Sequence, residues 1–216
     1  MSRIDSVFTP DHKALIGYIT VGHPTPKATP GIAEVLAENG CDIIELGIPF
    51  SDPVGDGPTI QRSSYRALLN GVTPRFCLET AAAIRARIQT PLVFMTYYNL
   101  LLNHGLDAFC RDSAKAGIDG LIIPDLPPEE GEDMESAAKI NGLDLIYLLA
   151  PTSTEERIKR GSEKSKGYIY IVTVTGVTGS RDHIPDSLSA FIERVNKFAE
   201  QPLCAGFGIS TPQQAA

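Results

Sequence analysis

Short apolar runs recur along the chain, each followed by a stretch in which apolar residues return at helical spacing. The runs are Ala14–Gly22, the stretch beginning at Ile43, Leu92–Tyr98, Gly120–Pro124, Leu143–Leu149, Tyr168–Val174 and Leu203–Phe207. Most are apolar throughout rather than alternating, which predicts strands with both faces covered. Helices are predicted over Ile32–Glu38, with Gly40 ending the first, over Thr59–Leu69 and Pro74–Ile88, divided by Asn70-Gly71-Val72-Thr73, and over Leu106–Ala116 and Leu188–Phe198. The acidic run Glu129–Glu135 opens another, where carboxylates complement the helix dipole, and Thr154 followed by Glu155-Glu156 caps the next. The short N-terminal leader is compatible with a further helix.

Strict strand–helix alternation argues a parallel sheet wrapped by helices. Seven such units point to an α/β fold of the (β/α)8 TIM-barrel type in a single domain, residues 1–216, with an open doubly wound sheet as the alternative from periodicity alone. The seventh helix begins at Thr211-Pro212-Gln213-Gln214 where the sequence stops, so strand 8 and the last helices are expected to be missing from a barrel that typically needs about 250 residues.

One position breaks the apolar pattern. Glu45 lies inside the run Ile43-Ile44-Glu45-Leu46-Gly47-Ile48, where an ionised group is costly unless paired, neutralised or used. No predicted strand supplies a basic partner. A loop rich in Pro, Gly and Asp follows, with Asp56 between two glycines. In a barrel the chemistry sits at the C-terminal ends of strands, so the pair reads as a positioned acid/base beside an acidic loop able to move. Asp56 is also open to the plainer reading of a turn residue.

The stretch Glu45-Leu46-Gly47-Ile48-Pro49-Phe50-Ser51-Asp52-Pro53 with Asp56-Gly57-Pro58 resembles the signature of the tryptophan synthase alpha chain family. Thr96-Tyr97-Tyr98-Asn99, Asp125-Leu126-Pro127, Gly176-Val177-Thr178-Gly179 and Gly206-Phe207-Gly208-Ile209-Ser210 extend the resemblance, in order, from about Tyr18 to the last residue. It implies cleavage of indole-3-glycerol phosphate to indole and glyceraldehyde 3-phosphate in tryptophan biosynthesis. Glu45 would shuttle protons, Asp56 would engage the indole nitrogen and Tyr170 would face the substrate near the glutamate. Tyr18, Ile60, Thr178, Gly179, Phe207 and Gly208 would line the substrate and phosphate site, the loops of Asp56 and Thr178 closing over it. The resemblance also implies no cofactor in this chain, and a pyridoxal-phosphate beta chain in an alpha2beta2 assembly. Docking would use Pro49 to Pro53 and Asn99 to Gly105, with Pro49, Asp52, Pro53, Asn99 and Asn103 as contacts. A stand-alone lyase releasing free indole and a catalytically silent phospho-ligand-binding regulator remain as alternatives.

Composition narrows the partners. With 19 Lys+Arg against 26 Asp+Glu the net charge is −7, and no basic cluster offers a nucleic-acid surface. The four cysteines, Cys41, Cys77, Cys110 and Cys204, and the four histidines lack metal-ligand spacing, so no metal is expected and the thiols read as reduced. No run approaches a membrane span and the N-terminus carries no apolar signal core, which leads to the expectation of a cytoplasmic protein.

Overall fold

The computed structural model describes residues 2–173, 187–206 and 211–212. Its elements are β1 (Ile16–Thr20), α1 (Thr29–Glu38), β2 (Ile43–Gly47), α2 (Pro58–Leu69), α3 (Pro74–Arg85), β3 (Leu92–Met95), α4 (Tyr98–His104), α5 (Leu106–Lys115), β4 (Gly120–Ile122), α6 (Glu132–Ile140), β5 (Asp144–Ile146), β6 (Leu148–Leu149), α7 (Glu155–Lys164), β7 (Ile169–Val172), α8 (Ser187–Asn196) and β8 (Leu203–Gly206). All ladders are parallel, in the order β1-β2-β3-β4-β5 and β6-β7-β8. This is the α/β barrel architecture the alternation predicts, with β8 the last strand among the described residues.

Period-two alternation splits each strand between two cores. Ile43 and Val93 point into the barrel with Ile122, Ile146 and Tyr168, joined by Ile16, Met95, Leu148, Tyr170 and Cys204. Their neighbours Ile44, Leu46, Leu92, Phe94, Leu121 and Leu145 point outward and pack on the helices through Ala33, Ala81, Ile84, Phe109 and Ala137. Burial on both faces is why the strands read as continuous apolar runs. Helix starts follow the local chemistry: the Thr73 side chain accepts from the Phe76 amide ahead of Pro74, and the Thr154 side chain accepts from that of Arg157.

Three expectations are corrected. The third run stops at Met95, because the Tyr98 amide donates to Asp125 Oδ1 at 2.9 Å and the chain turns into a short helix, α4. The fifth run is divided at Tyr147. There the ladder changes partner, from β4 alongside Asp144–Ile146 to β7 alongside Leu148–Leu149. The leader forms only a 3-10 turn, Asp5–Val7, and its work is done by Ile4, which is fully buried inside the barrel beside the partly buried Val7 and Phe8.

Polar contacts fix that plug in place. Asp119, 7% exposed, accepts from Arg3 at 2.8 Å, Arg85 at 2.7 Å and the Leu92 amide at 2.9 Å, while Ser2 Oγ donates to Asp144 at 2.7 Å. Such a carboxylate is well satisfied, which offsets its burial.

Truncating the plug tests this account. Ile4→Ala removes a fully enclosed side chain and should destabilise the fold by about 2–5 kcal/mol. Urea unfolding would show this as a lowered midpoint with an unchanged slope.

Candidate active site

Glu45 is the middle residue of β2, in register with Tyr18 on β1 and Val93 on β3, and its side chain faces the barrel interior at 3% exposure. The Tyr168 hydroxyl, itself fully buried, donates to Glu45 Oε1 at 2.9 Å. Among the described residues no cation offsets the charge. Burial therefore pushes the Glu45 carboxyl up to about 7, and the Tyr168 hydrogen bond opposes the rise without cancelling it.

Asp56 sits in the loop between β2 and α2, partly buried, and burial lifts it to about 6 against a hydrogen bond from Tyr97. The Tyr97 hydroxyl also accepts from the Gly55 amide at 3.0 Å, and its ring stacks on Phe50 with centroids 5.2 Å apart. Tyr97, at the end of the β3 run, thus fastens the start of the loop and its acid together. The rest of the loop is held by its own turn, with the Asp56 amide on Pro53 O at 3.2 Å and Gln61 Nε2 on Asp56 O at 2.8 Å.

Two tyrosines complete the mouth. Tyr18 lies over Gly47 and Tyr170 over Gly206, so closely that a Cβ at either glycine would overlap the phenol oxygen. Each ring therefore crosses to the neighbouring strand where that strand carries no side chain. Burial is the main cause holding the hydroxyls of Tyr18, Tyr168 and Tyr170 protonated, and the charges of Glu45 and Asp56 both act on Tyr18 and Tyr170. The arrangement is two carboxyls that titrate near neutrality, ringed by neutral phenol donors. It can give and take protons at pH 7 without a strong acid or base.

The structure thus brings Glu45, Asp56, Tyr18 and Tyr170 together, while Ile60 stands in the first turn of α2 and lines a cleft with Tyr18. Thr178, Gly179, Phe207 and Gly208 lie outside the described residues. Of the surface contacts expected, Asp52, Asn99 and Asn103 are exposed and Pro53 is partly exposed, but Pro49 is buried. Pro49 continues the covered end of β2 and offers no surface to a partner. Sequence reasoning assigned no role to Tyr168 or Tyr97. Tyr168 stands two residues before Tyr170 and so shares its face of the strand, a signal that period-two counting could have used. Among the described residues no three His, Cys, Asp or Glu side chains are grouped to hold a metal ion.

The sequence model of the tryptophan synthase alpha chain family matches residues 5–216. The tryptophan synthase alpha chain of Dehalococcoides mccartyi is 57% identical over 215 residues, covering 100% of this chain and 84% of that one. Among solved structures, tryptophan synthase subunit alpha from Legionella pneumophila superposes with a TM-score of 0.92 at 36% identity, over 100% of this chain and 82% of that one. A chain of the tryptophan synthase a2b2 complex of the hyperthermophile Pyrococcus furiosus, described in terms of mutual activation, gives 0.88 at 35% identity, over 94% and 82%.

The Glu45 environment makes a signed prediction. The folded chain holds the Glu45 proton up to about pH 7, while the unfolded chain releases it near 4.5. Below the lower value both states are protonated and nothing is lost; as pH rises between the two, ionisation favours the unfolded chain and stability falls by about 3 kcal/mol at most. Glu45→Gln should therefore unfold at a higher temperature than the parent at pH 8 and show no such gain at pH 4. Tyr168→Phe removes the hydrogen bond that lowers the Glu45 pKa, and carboxyl NMR should find the titration of Glu45 shifted further upward; an unmoved midpoint would mean that the hydroxyl does not stabilise the anion.

Proposed function

This chain belongs to the tryptophan synthase alpha chain family, and we propose that it cleaves indole-3-glycerol phosphate to indole and glyceraldehyde 3-phosphate as the lyase subunit of a tryptophan synthase. The observation that supports this most is Glu45, a 3%-exposed carboxyl with no counter-charge among the described residues and a pKa lifted by burial to about 7. Breaking the bond between the indole ring and the glycerol chain needs a proton delivered to the ring carbon and another removed from the adjacent hydroxyl. A carboxyl poised near neutral pH does both. In the first step Glu45 gives its proton to indole C3, leaving the ring nitrogen electron-poor; Asp56 accepts a hydrogen bond from that N–H and stabilises it. In the second, Glu45 takes the hydroxyl proton, the carbon–carbon bond breaks, its electron pair returns to the ring and the glycerol carbon becomes an aldehyde. Atoms and electrons balance without an oxidant or reductant, so the chemistry calls for no cofactor in this chain.

Tyr18 and Tyr170 shape the mouth for a flat aromatic ring, and Ile60 adds an apolar contact. Phosphate binding falls to Thr178, Gly179, Phe207 and Gly208. The chain is read as a single barrel domain that works in the cytoplasm beside a beta chain carrying pyridoxal phosphate, in an alpha2beta2 assembly. Supporting that partner, Val54 is 80% and Leu102 is 55% exposed, on the two segments that the Phe50–Tyr97 stack joins, with Asp52, Pro53, Asn99 and Asn103 around them. Exposed apolar side chains rimmed by polar ones mark a docking surface.

Glu45→Gln keeps the shape and loses the proton transfer, so kcat for indole release should fall by ~100-fold or more with KM little changed. Turnover within threefold of the parent would assign Glu45 a purely structural role. Assaying both chains with and without an added beta chain measures activation separately from the chemistry.

A further inference from the structure

The hydroxyls of Tyr18, Thr20 and Ser63 form a chain from β1 to α2. Tyr18 and Thr20 are two residues apart on β1 and share its interior face, and the Tyr18 hydroxyl lies 3.4 Å from Thr20 Oγ1. Thr20 Oγ1 lies 2.8 Å from Ser63 Oγ, and Ser63 Oγ donates to Ile60 O at 2.8 Å. Thr20 and Ser63 are both buried. Each hydroxyl has one proton to give, which fixes the direction of the chain. Ile60 O can only accept, so the Ser63 proton is committed to it. The Thr20 proton must then make the bond to Ser63. What remains for the 3.4 Å contact is the Tyr18 proton, donated to Thr20. The Tyr18 oxygen keeps its lone pairs and, among the described residues, meets no donor. It lies 2.0 Å from where a Cβ of Gly47 would be, and Gly47 shares the interior face of β2 with Glu45, one two-residue step along the strand. The charges of Glu45 and Asp56 both act on it. An acceptor in that position, beside two carboxyls, suits a ligand group that brings its own proton.

We propose, on the basis of the cleavage reaction above, that Tyr18 determines specificity by accepting a hydrogen bond from the central hydroxyl of the glycerol chain, and that Thr20 and Ser63 are the positioning residues that turn its proton away. The reacting half of the substrate offers the ring N–H and the two glycerol hydroxyls as donors. Asp56 engages the first, and the hydroxyl beside the ring gives its proton to Glu45. The central hydroxyl is left, and Tyr18 is the acceptor for it. A site with a preset acceptor rejects a ligand that lacks the matching donor, because the phenol oxygen, covered by that ligand, stays unpaired.

Calorimetry on the full chain with a pair of unreactive ligands tests this: indole-3-propyl phosphate, which has neither hydroxyl, and its analogue keeping only the central one. Both lack the hydroxyl whose proton is removed in the cleavage, so neither is consumed. The parent should bind the hydroxylated ligand about fivefold tighter than the plain one. Tyr18→Phe should abolish that preference while binding the plain ligand within about twofold of the parent. Thr20→Val, which frees the Tyr18 proton, should reduce the preference to less than about twofold, and Thr20→Ser should restore it. A preference that survives Tyr18→Phe, or no preference in the parent, would overturn the proposal. So would a Thr20→Val chain that melts at a lower temperature yet keeps the full preference, the mark of a purely structural pin. A parent that binds neither ligand would count against the substrate itself and would take the role of Tyr18 down with it.

Discussion

The burial of one uncompensated carboxylate governs how the rest of this structure is arranged. Glu45 occupies an interior position that the alternation of β2 would otherwise give to an aliphatic side chain like Ile43 two residues before it. Its surroundings are built to tolerate a proton that comes and goes. Among the described residues a phenol supplies the hydrogen bond, more phenols lie close by, and no arginine or lysine pairs with the charge. A cation would have given a firmer fold and a carboxylate locked in its ionised form, useless for proton transfer at neutral pH. The cost in stability and the chemical usefulness of Glu45 therefore have the same physical origin.

The second carboxyl reaches a similar pKa by a different route. Asp56 is on a loop rather than a strand, only partly buried, and depends on Tyr97 and on hydrogen bonds within its own turn for its position. In the proposed reaction a rigid acid in the barrel wall and a tethered one on the rim would divide the work: the first fixed relative to the reacting carbon, the second able to follow its loop as it closes over a ring nitrogen. The Phe50–Tyr97 stack ties that loop to the segment bearing Leu102, so the proposed partner surface and the acid on the rim share one mechanical support.

Much of this was legible in the sequence, for identifiable reasons. Parallel strands covered on both faces leave unbroken apolar runs, so the parallel α/β alternation and its order could be read directly, the choice of barrel over open sheet resting on the family resemblance, and a lone glutamate in such a run stood out against them. What escaped depended on contacts between distant segments. The hydroxyl of Tyr168 reaches Glu45 across 123 residues of chain, and the division at Tyr147 follows from a change of ladder partner rather than from any breaker residue. The helix α4 begins where Asp125, from the loop after β4, captures the Tyr98 amide. Pro49 was expected at the docking surface through the family resemblance alone, yet the strand carries its buried environment past Gly47.

The buried Ile4 has a consequence for the order in which the molecule assembles. Its enclosing side chains, Ile43, Val93, Ile122, Ile146 and Tyr168, are spread across most of the sequence, and Tyr168 is made long after Ile4 itself. Ile4 and its neighbours, made well before β7, are thus among the last residues that can be enclosed, since their container is complete only when the β7 segment has arrived. Until then the N-terminal arm stays without its native contacts, and closing the base of the barrel becomes a late event dominated by contacts of long sequence separation, the kind that slows folding.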